Sequence, residues 1–175
     1  MRRIALILTI LLNVACAQNK PVADNSKKIE GLEAELRSKD RMDTVLGNAL
    51  ILEYTKFVDA NPKDSMSAVY LFKKAQVLKA TRGKHDEAIQ AFQAVYKTYP
   101  YHPKGAEAML ATALFYEEMR SKDMAAATYK KFIATYPSNP LAENARDLLD
   151  LLTNTKETEL EMVKKWKVKA ENSEK

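Results

Sequence analysis

A helical pattern that ends in a proline occurs three times in this chain, and this repeat limits the possible folds more than any other feature. Pro62, Pro100 and Pro137 lie 38 and 37 residues apart. In each copy an apolar or small residue lies five, eight and twelve positions before the proline, and these offsets fall on one face of a helix. Because proline ends each helix by fixing φ, a period in this range predicts stacked helix pairs. The residues on the repeated face are Leu50, Tyr54, Phe57, Ala88, Phe92, Val95, Ala125, Tyr129 and Phe132.

The composition is that of a single all-α domain with a mixed-charge surface. The chain has four glycines and six prolines among 175 residues, and strong helix formers are common throughout. Its hydrophobic share of 46% is sufficient for one core. Basic and acidic residues number 28 and 23, which gives a net charge of +5. Such mixing is typical of a solvated surface, so no nucleic-acid partner is expected.

The N-terminus has the pattern of an export signal. Residues 2–3 are basic, and the apolar run 4–12 is too short to span a bilayer. The single cysteine, Cys16, follows this run, and the arrangement resembles a bacterial lipoprotein signal that is cleaved before an acylated cysteine. We therefore predict a signal peptide at 1–15, lipidation at Cys16 and an outer-membrane lipoprotein that faces the periplasm. The alternative is ordinary cleavage before Gln18, which would leave a soluble periplasmic protein.

The rest of the chain divides into a tether, a repeat domain and a tail. Polar residues and a proline predict a flexible tether at 16–28, and the end, 167–175, is expected to be frayed. The repeat domain is predicted at 29–166, with helix pairs centred on 65–99 and 104–136, a half repeat at 44–60 and a cap at 141–166.

Several local features of the repeat domain are informative. Apolar residues in 29–36 form a short helical stripe, which indicates a docking helix or a frayed one. Gly47 and Asn48 are either a loop, with Asn48 as an N-cap, or a weak point inside a longer helix. Asp86 and Asp123 are predicted to cap the second helices of the two pairs.

The proline-ended pattern resembles the tetratricopeptide (TPR) repeat family over about 50–152. The resemblance lies in the small–aromatic–apolar–proline series and in Ala75 and Ala113, where the helices of a pair would approach closely. The period is nearer 37 than the 34 usual for the family, and no tryptophan–leucine–glycine cluster opens the pairs. With longer proline turns, the repeats look like the envelope branch of the family. That branch includes the TPR lipoprotein of the outer-membrane β-barrel assembly machine and the periplasmic TPR partner of Tol–Pal.

The resemblance implies an all-α, right-handed α-solenoid of helix pairs with terminal capping helices. It also implies a concave side lined by the first helix of each pair. Placed on this sequence, Phe72, Leu110 and Leu114 would form an apolar floor, with Lys79 and glutamates at the rim, which suits a helical or extended peptide. The alternative is that the N-terminal or the last helix fills this space as core. The candidate groove residues are Val69, Phe72, Gln76, Lys79, Glu107, Leu110, Leu114, Glu117 and Glu118.

The sequence contains no recognisable constellation of reacting side chains. His85 and His102 fall in two different turns, lack the spacing of a metal site and are interpreted as exposed turn residues. No glycine-rich phosphate loop is present. An enzyme, a cofactor and a bound metal are therefore not expected.

Two functions of different classes remain open from the sequence. The first is a protein–protein interaction scaffold at the outer membrane, with protein partners in the cell envelope and a role in its assembly or maintenance. The second is an accessory protein that binds a glycan or another small molecule beside an envelope transporter. A protein partner predicts an apolar groove, whereas a small ligand predicts an enclosed pocket with convergent polar groups.

Overall fold

The computed structural model describes residues 25–153, and every regular element in that range is an α-helix. Each helix up to α6 packs against the next in chain order, which is the arrangement of an all-α helical repeat solenoid. The expected fold class is therefore confirmed. No helix among these residues is long and apolar enough to cross a membrane. The helices are α1 (Ser26–Arg37), α2 (Thr44–Ala60), α3 (Ser65–Ala80), α4 (His85–Thr98), α5 (Pro103–Glu118), α6 (Lys122–Thr135) and α7 (142–153).

The proline turns repeat in geometry as well as in sequence. Asn61, Tyr99 and Tyr136 end α2, α4 and α6 with φ of −129°, −124° and −127° and with ψ of 53°, 54° and 55°. A non-helical residue before proline is expected, because the proline ring disfavours helical geometry there. The Tyr99 hydroxyl also donates a hydrogen bond to the Pro62 carbonyl at 3.0 Å, which joins two successive turns.

The helix face predicted from the proline offsets forms the core. Eight of its nine residues are buried. The ninth, Phe57, is half-buried and packs edge-on against Tyr70, with ring centroids 4.7 Å apart. Ala75 and Ala113 are fully buried as well, and their small side chains allow neighbouring helices to approach closely.

Helix α2 begins before Gly47 and Asn48, so these residues lie inside a longer helix. The N-cap is Asp43, whose carboxylate accepts hydrogen bonds from the backbone N–H groups of Val45 and Leu46 at 2.9 and 3.0 Å. These bonds satisfy two of the N–H groups that a helix start leaves without an intrahelical partner. The stronger cap upstream therefore decides the boundary.

The predicted N-caps at Asp86 and Asp123 are wrong. Helices α4 and α6 begin two residues earlier than those caps imply, so the cap positions belong to Lys84 and Ser121, neither of which makes a side-chain cap bond. Both aspartates lie in the first helical turn instead. A carboxylate there still favours the helix, because it interacts with the positive end of the helix dipole.

Helix α1 docks on α2 and gives it a partner helix. Ile29 is fully buried in a small core cluster with Leu50, Tyr54 and Tyr70. Helix α1 begins at Ser26, so it overlaps the end of the predicted tether. The segment predicted as a half repeat therefore belongs to a pair, α1 with α2.

A buried carboxylate fixes the start of α1 to α2. The Asn25 side-chain amide donates hydrogen bonds to both Oε2 and the main-chain carbonyl of Glu53, each at 2.9 Å. The ammonium groups of Lys28 and Lys56 lie 2.9 Å from Oε1 of the same residue. Glu53 is almost fully buried, and its charge is satisfied by two cations and an amide. A buried carboxylate with such partners avoids most of the desolvation penalty.

Acid is expected to weaken the contact between α1 and α2. Hydrogen bonds from Asn25, Lys28 and Lys56 lower the pKa of Glu53 from 4.5 to about 2. Because the pKa is lower in the folded chain than in the unfolded one, the contribution of Glu53 to stability is present above pH 4.5 and is lost as the pH falls toward 2. We expect the melting temperature of the wild type to fall more steeply than that of Glu53→Gln over this range. Parallel curves for the two proteins would contradict the assignment.

Helix α7 packs on the main core and has a partly polar face. Ala142 and Ala145 are buried in the main core, whereas Asp150 and Leu151 are exposed. The signal peptide, most of the tether, the end of the predicted cap and the tail lie outside the described residues.

Candidate functional site

The predicted groove residues lie on α3 and α5, the first helices of two successive pairs. Three contacts hold these helices side by side. Lys79 Nζ lies 2.6 Å from Oε1 of Glu118, and Lys104 Nζ lies 4.8 Å from the centroid of the Phe72 ring. Lys79 also lies over the Phe115 ring, with Nζ 5.0 Å from its centroid. The structure therefore brings Lys79 and Glu118 together as an ion pair between α3 and α5.

Phe72 lies in the core and does not form an open floor. Its ring is buried and packs edge-on against Phe92, with centroids 5.5 Å apart. The Lys104 ammonium group lies over the ring and is attracted by the ring quadrupole. The assignment of Phe72 to an open apolar floor is therefore wrong. The contact between Phe72 and Lys104 instead joins α3 to α5 across the repeat boundary.

Leu110 and Leu114 remain at the surface of α5. Leu110 is half-buried and packs against the main core, whereas Leu114 is 37% exposed. Leu151 stands 37 positions after Leu114, at the equivalent place on α7, and is 67% exposed. Leu110 and Leu114 are four residues apart and therefore share one face of α5, where they form a small, partly exposed apolar surface. We call Leu110 and Leu114 the leucine strip.

The glutamates predicted at the rim are engaged in contacts within the fold. Glu117 accepts a hydrogen bond from the hydroxyl of Tyr129 on α6, and Glu107 forms an ion pair with Lys104 one turn away. Burial raises the pKa of Tyr129, and the hydrogen bond to Glu117 raises it further, so the hydroxyl remains a donor. Glu117 is thus a link between α5 and α6, and only Glu118 is exposed beside Lys79.

The remaining predicted groove residues, Val69 and Gln76, lie along α3. Val69 is half-buried, and Gln76 is exposed. Gln76 lines a cleft between α1 and α3, away from the leucine strip.

The two histidines have structural contacts. His102 is the N-cap of α5: Nδ1 accepts from the Lys104 backbone N–H at 3.1 Å, and Nε2 lies 3.1 Å from Oγ of Ser65. The interpretation of His102 as an exposed turn residue is therefore wrong, because a helix that starts with proline leaves the preceding residue as its cap. His85 is exposed, and its ring packs edge-on against Phe115 with centroids 5.4 Å apart.

Metal-binding side chains do not converge anywhere between residues 25 and 153: no group of three or more His, Cys, Asp or Glu could hold an ion there. The titratable groups described above serve helix caps and ion pairs. The sequence did not indicate the contacts of Asn25 and Lys28 with Glu53, or those of Lys79 and Lys104 with aromatic rings, because these partners are distant in sequence.

The helix pairs stack on one another, and this arrangement defines a helical-repeat protein. Many of its surface side chains take part in packing contacts or ion pairs. Residues 70–100 and 107–139 match the family model described as tetratricopeptide repeat. The two matches cover most of α3–α4 and α5–α6, and they support a tetratricopeptide repeat protein. No curated protein and no solved structure matches the chain.

Proposed function

We propose that this protein is a non-enzymatic protein–protein interaction scaffold of the bacterial cell envelope, anchored to the outer membrane by a lipid on Cys16. The observation that carries the binding role is the leucine strip, since α5 presents Leu114, which is 37% exposed, beside the half-buried Leu110 on the same face. Solenoids use such surfaces for extended contacts with other proteins. An apolar strip of this kind suits the apolar face of a partner helix.

The described clefts are open to solvent, so their shape would not enclose a small ligand. A small-molecule site would need a concave pocket that buries most of the ligand surface. We therefore prefer the scaffold over a glycan-binding or small-molecule-binding accessory. The N-terminal pattern and the long proline turns support placing the protein with the envelope type of TPR proteins, in outer-membrane assembly or envelope maintenance.

The binding role is tested by adding charge to the strip. Leu114→Glu and the double change Leu110→Glu with Leu114→Glu should weaken copurification of the envelope partner, because an apolar interface that buries a new carboxylate loses stability. Circular dichroism should show unchanged helix content for Leu114→Glu, whose site is partly exposed. The double change Met124→Glu with Ala127→Glu, on the exposed face of α6, is the matched control. Full partner recovery with folded Leu114→Glu protein would contradict the proposal.

The anchoring role is tested at Cys16, which lies outside the described residues. Two or more acyl chains anchor a protein stably, whereas a single chain binds only marginally. Cys16→Ser should therefore move the protein from the membrane fraction to the soluble envelope fraction. A wild-type protein that is already soluble and begins at Gln18 would show that ordinary signal cleavage occurs instead.

A further inference from the structure

The first junction between successive proline turns is closed by two hydrogen bonds. The Tyr99 hydroxyl donates to the Pro62 carbonyl at 3.0 Å, and Nε2 of His102 lies 3.1 Å from Oγ of Ser65. These bonds tie the turn after α2 to the turn after α4. The polar side chains at this junction are therefore used by the fold itself.

The second junction has equivalent polar residues but lacks these cross-turn bonds. Tyr136 and Asn139 each stand 37 residues after their counterparts, Tyr99 and His102. Oδ1 of Asn139 accepts from the Leu141 backbone N–H at 2.9 Å, just as His102 accepts from a backbone N–H two residues on. Within the described residues, however, the Asn139 amide nitrogen has no hydrogen-bond partner, and the buried Tyr136 hydroxyl has none either. Because polar groups in a fold are normally paired, this junction has donors that the described chain leaves unused.

A cleft of about 590 Å³ lies at this second junction, between the turn that follows α4 and the turn that follows α6. Its volume is within the range of ligand sites. Two prolines and Ala106 give it apolar walls, while Thr135, Asn139 and two tyrosines add polar groups. No Lys, Arg, Asp or Glu lines the cleft, and neither leucine of the strip does so. The cleft is therefore uncharged and separate from the leucine strip.

An aromatic ring stands free at the edge of this cleft. Tyr101 lines the cleft and is 100% exposed. The equivalent positions of the other two turns are Lys63 and Ser138, so the ring is a feature of this turn and not of the repeat. Core packing does not explain a ring that the fold leaves in solvent. Its flat apolar face is available to a ligand, with the hydroxyl as a polar handle.

The chemistry of the lining favours a neutral sugar over a charged ligand. A carboxylate or a phosphate would find no cation in the lining to pair with. A sugar ring has one face of C–H groups that can stack on Tyr101 and polar groups at its edge that can bond to side chains. An acetamido substituent adds a carbonyl that can accept from the Asn139 amide and a methyl group that suits the prolines. Because the cleft is open, it suits part of a polymer chain and not an isolated small molecule.

We propose that this cleft binds a neutral glycan chain of 2-acetamido sugars, with one ring stacked on Tyr101 and an acetamido carbonyl bonded to the Asn139 amide. The inference goes beyond the proposed scaffold role and does not depend on it. Because the cleft and the leucine strip share no residues, a variant can lose one of these contacts and keep the other.

The test uses nuclear magnetic resonance of the full chain labelled with ¹³C at histidine Cε1. His102 lines the cleft, whereas His85 lies at the far end of α4 and serves as the internal control. The probe is chitotetraose, a neutral oligomer of 2-acetamido glucose. We expect the His102 signal to shift saturably in the millimolar range while the His85 signal stays in place.

Three variants and a control assign the contacts. Tyr101→Ala should weaken binding about tenfold with unchanged helix content, whereas Tyr101→Phe keeps the ring and should retain the affinity. Asn139→Asp keeps the acceptor for the Leu141 N–H but removes the amide donor, so it should also weaken binding about tenfold. Lys63→Ala changes the equivalent position of the preceding turn, outside the cleft, and should leave the affinity unchanged.

Two further ligands complete the test. Cellotetraose has the same linkage without acetamido groups and should bind at least about tenfold more weakly. An unmoved His102 signal, equal shifts of the two histidines, equal binding of cellotetraose or an unchanged affinity of Tyr101→Ala would overturn the proposal. Saturable binding of a tetraproline peptide without binding of chitotetraose would assign the cleft to a proline-rich segment and overturn it as well. None of these readouts depends on the leucine strip, so failure here leaves the scaffold test intact.

Discussion

Truncation of Phe92 or Phe132 to alanine is expected to lower the free energy of unfolding by about 3–5 kcal/mol. Both rings are buried on the repeated helix face, one in each matched repeat. Phe92 packs edge-on against Phe72, and Phe132 packs against Tyr136, with centroids 5.5 Å apart in both pairs. Truncation removes apolar contacts and leaves a cavity that a packed interior fills only in part.

Urea unfolding followed by circular dichroism measures this loss. The controls are Gln90→Ala on α4 and Lys130→Ala on α6, which are exposed and should change stability by no more than about 0.5 kcal/mol. Gln93 and Lys131, which directly neighbour Phe92 and Phe132 in sequence, are less suitable as controls. Gln93 is half-buried, and Lys131 lies over the Tyr96 ring. Equal unfolding midpoints for the four variants would show that the repeated face is not the core.

Gly105→Ala is the second substitution with a large expected effect. A Cβ atom at this position would lie 2.5 Å from the Tyr99 carbonyl oxygen and 3.2 Å from the Tyr136 hydroxyl. The closer atom belongs to the backbone of the proline turn, so it cannot move without disturbing the turn. We expect a loss of about 1–3 kcal/mol, even though alanine is normally favoured over glycine inside a helix.

Gly31→Ala on α1 is the matched control for that change. An added Cβ there meets nothing within 4 Å, so only the helix preference acts. We expect a gain of about 0.5–1 kcal/mol. Thermal melts of the two variants should therefore move in opposite directions. A shift of Gly105→Ala in the stabilising direction would contradict the close approach of α5 to the turn.

The core was predictable because its signal is periodic. Proline offsets repeated three times identify the buried face of α2, α4 and α6, and the proline itself marks where each helix ends. Helix starts were less certain. The cap at Asp43 overrode the choice at Asn48, and the first turns of α4 and α6 begin without a side-chain cap.

The candidate site was harder to predict because its contacts join distant parts of the chain. Helix α3 is apolar on more than one face, so periodicity alone could not distinguish a core role of Phe72 from a place on the floor. The decisive contact is with Lys104 of the next pair. Likewise, the sequence gives no sign that Glu53 differs from an ordinary helix residue. Its buried contacts form only because α1 brings Asn25 and Lys28 to it.

Site-specific photo-crosslinking in cells tests most directly whether the leucine strip binds a partner. A benzophenone amino acid would replace Leu114 on the strip or, as the control, the exposed Lys130 on α6. We predict a discrete adduct with one envelope protein from position 114, its loss when Leu110→Glu is added, and no such adduct from position 130. No adduct from position 114, or the same adducts from both positions, would contradict the account.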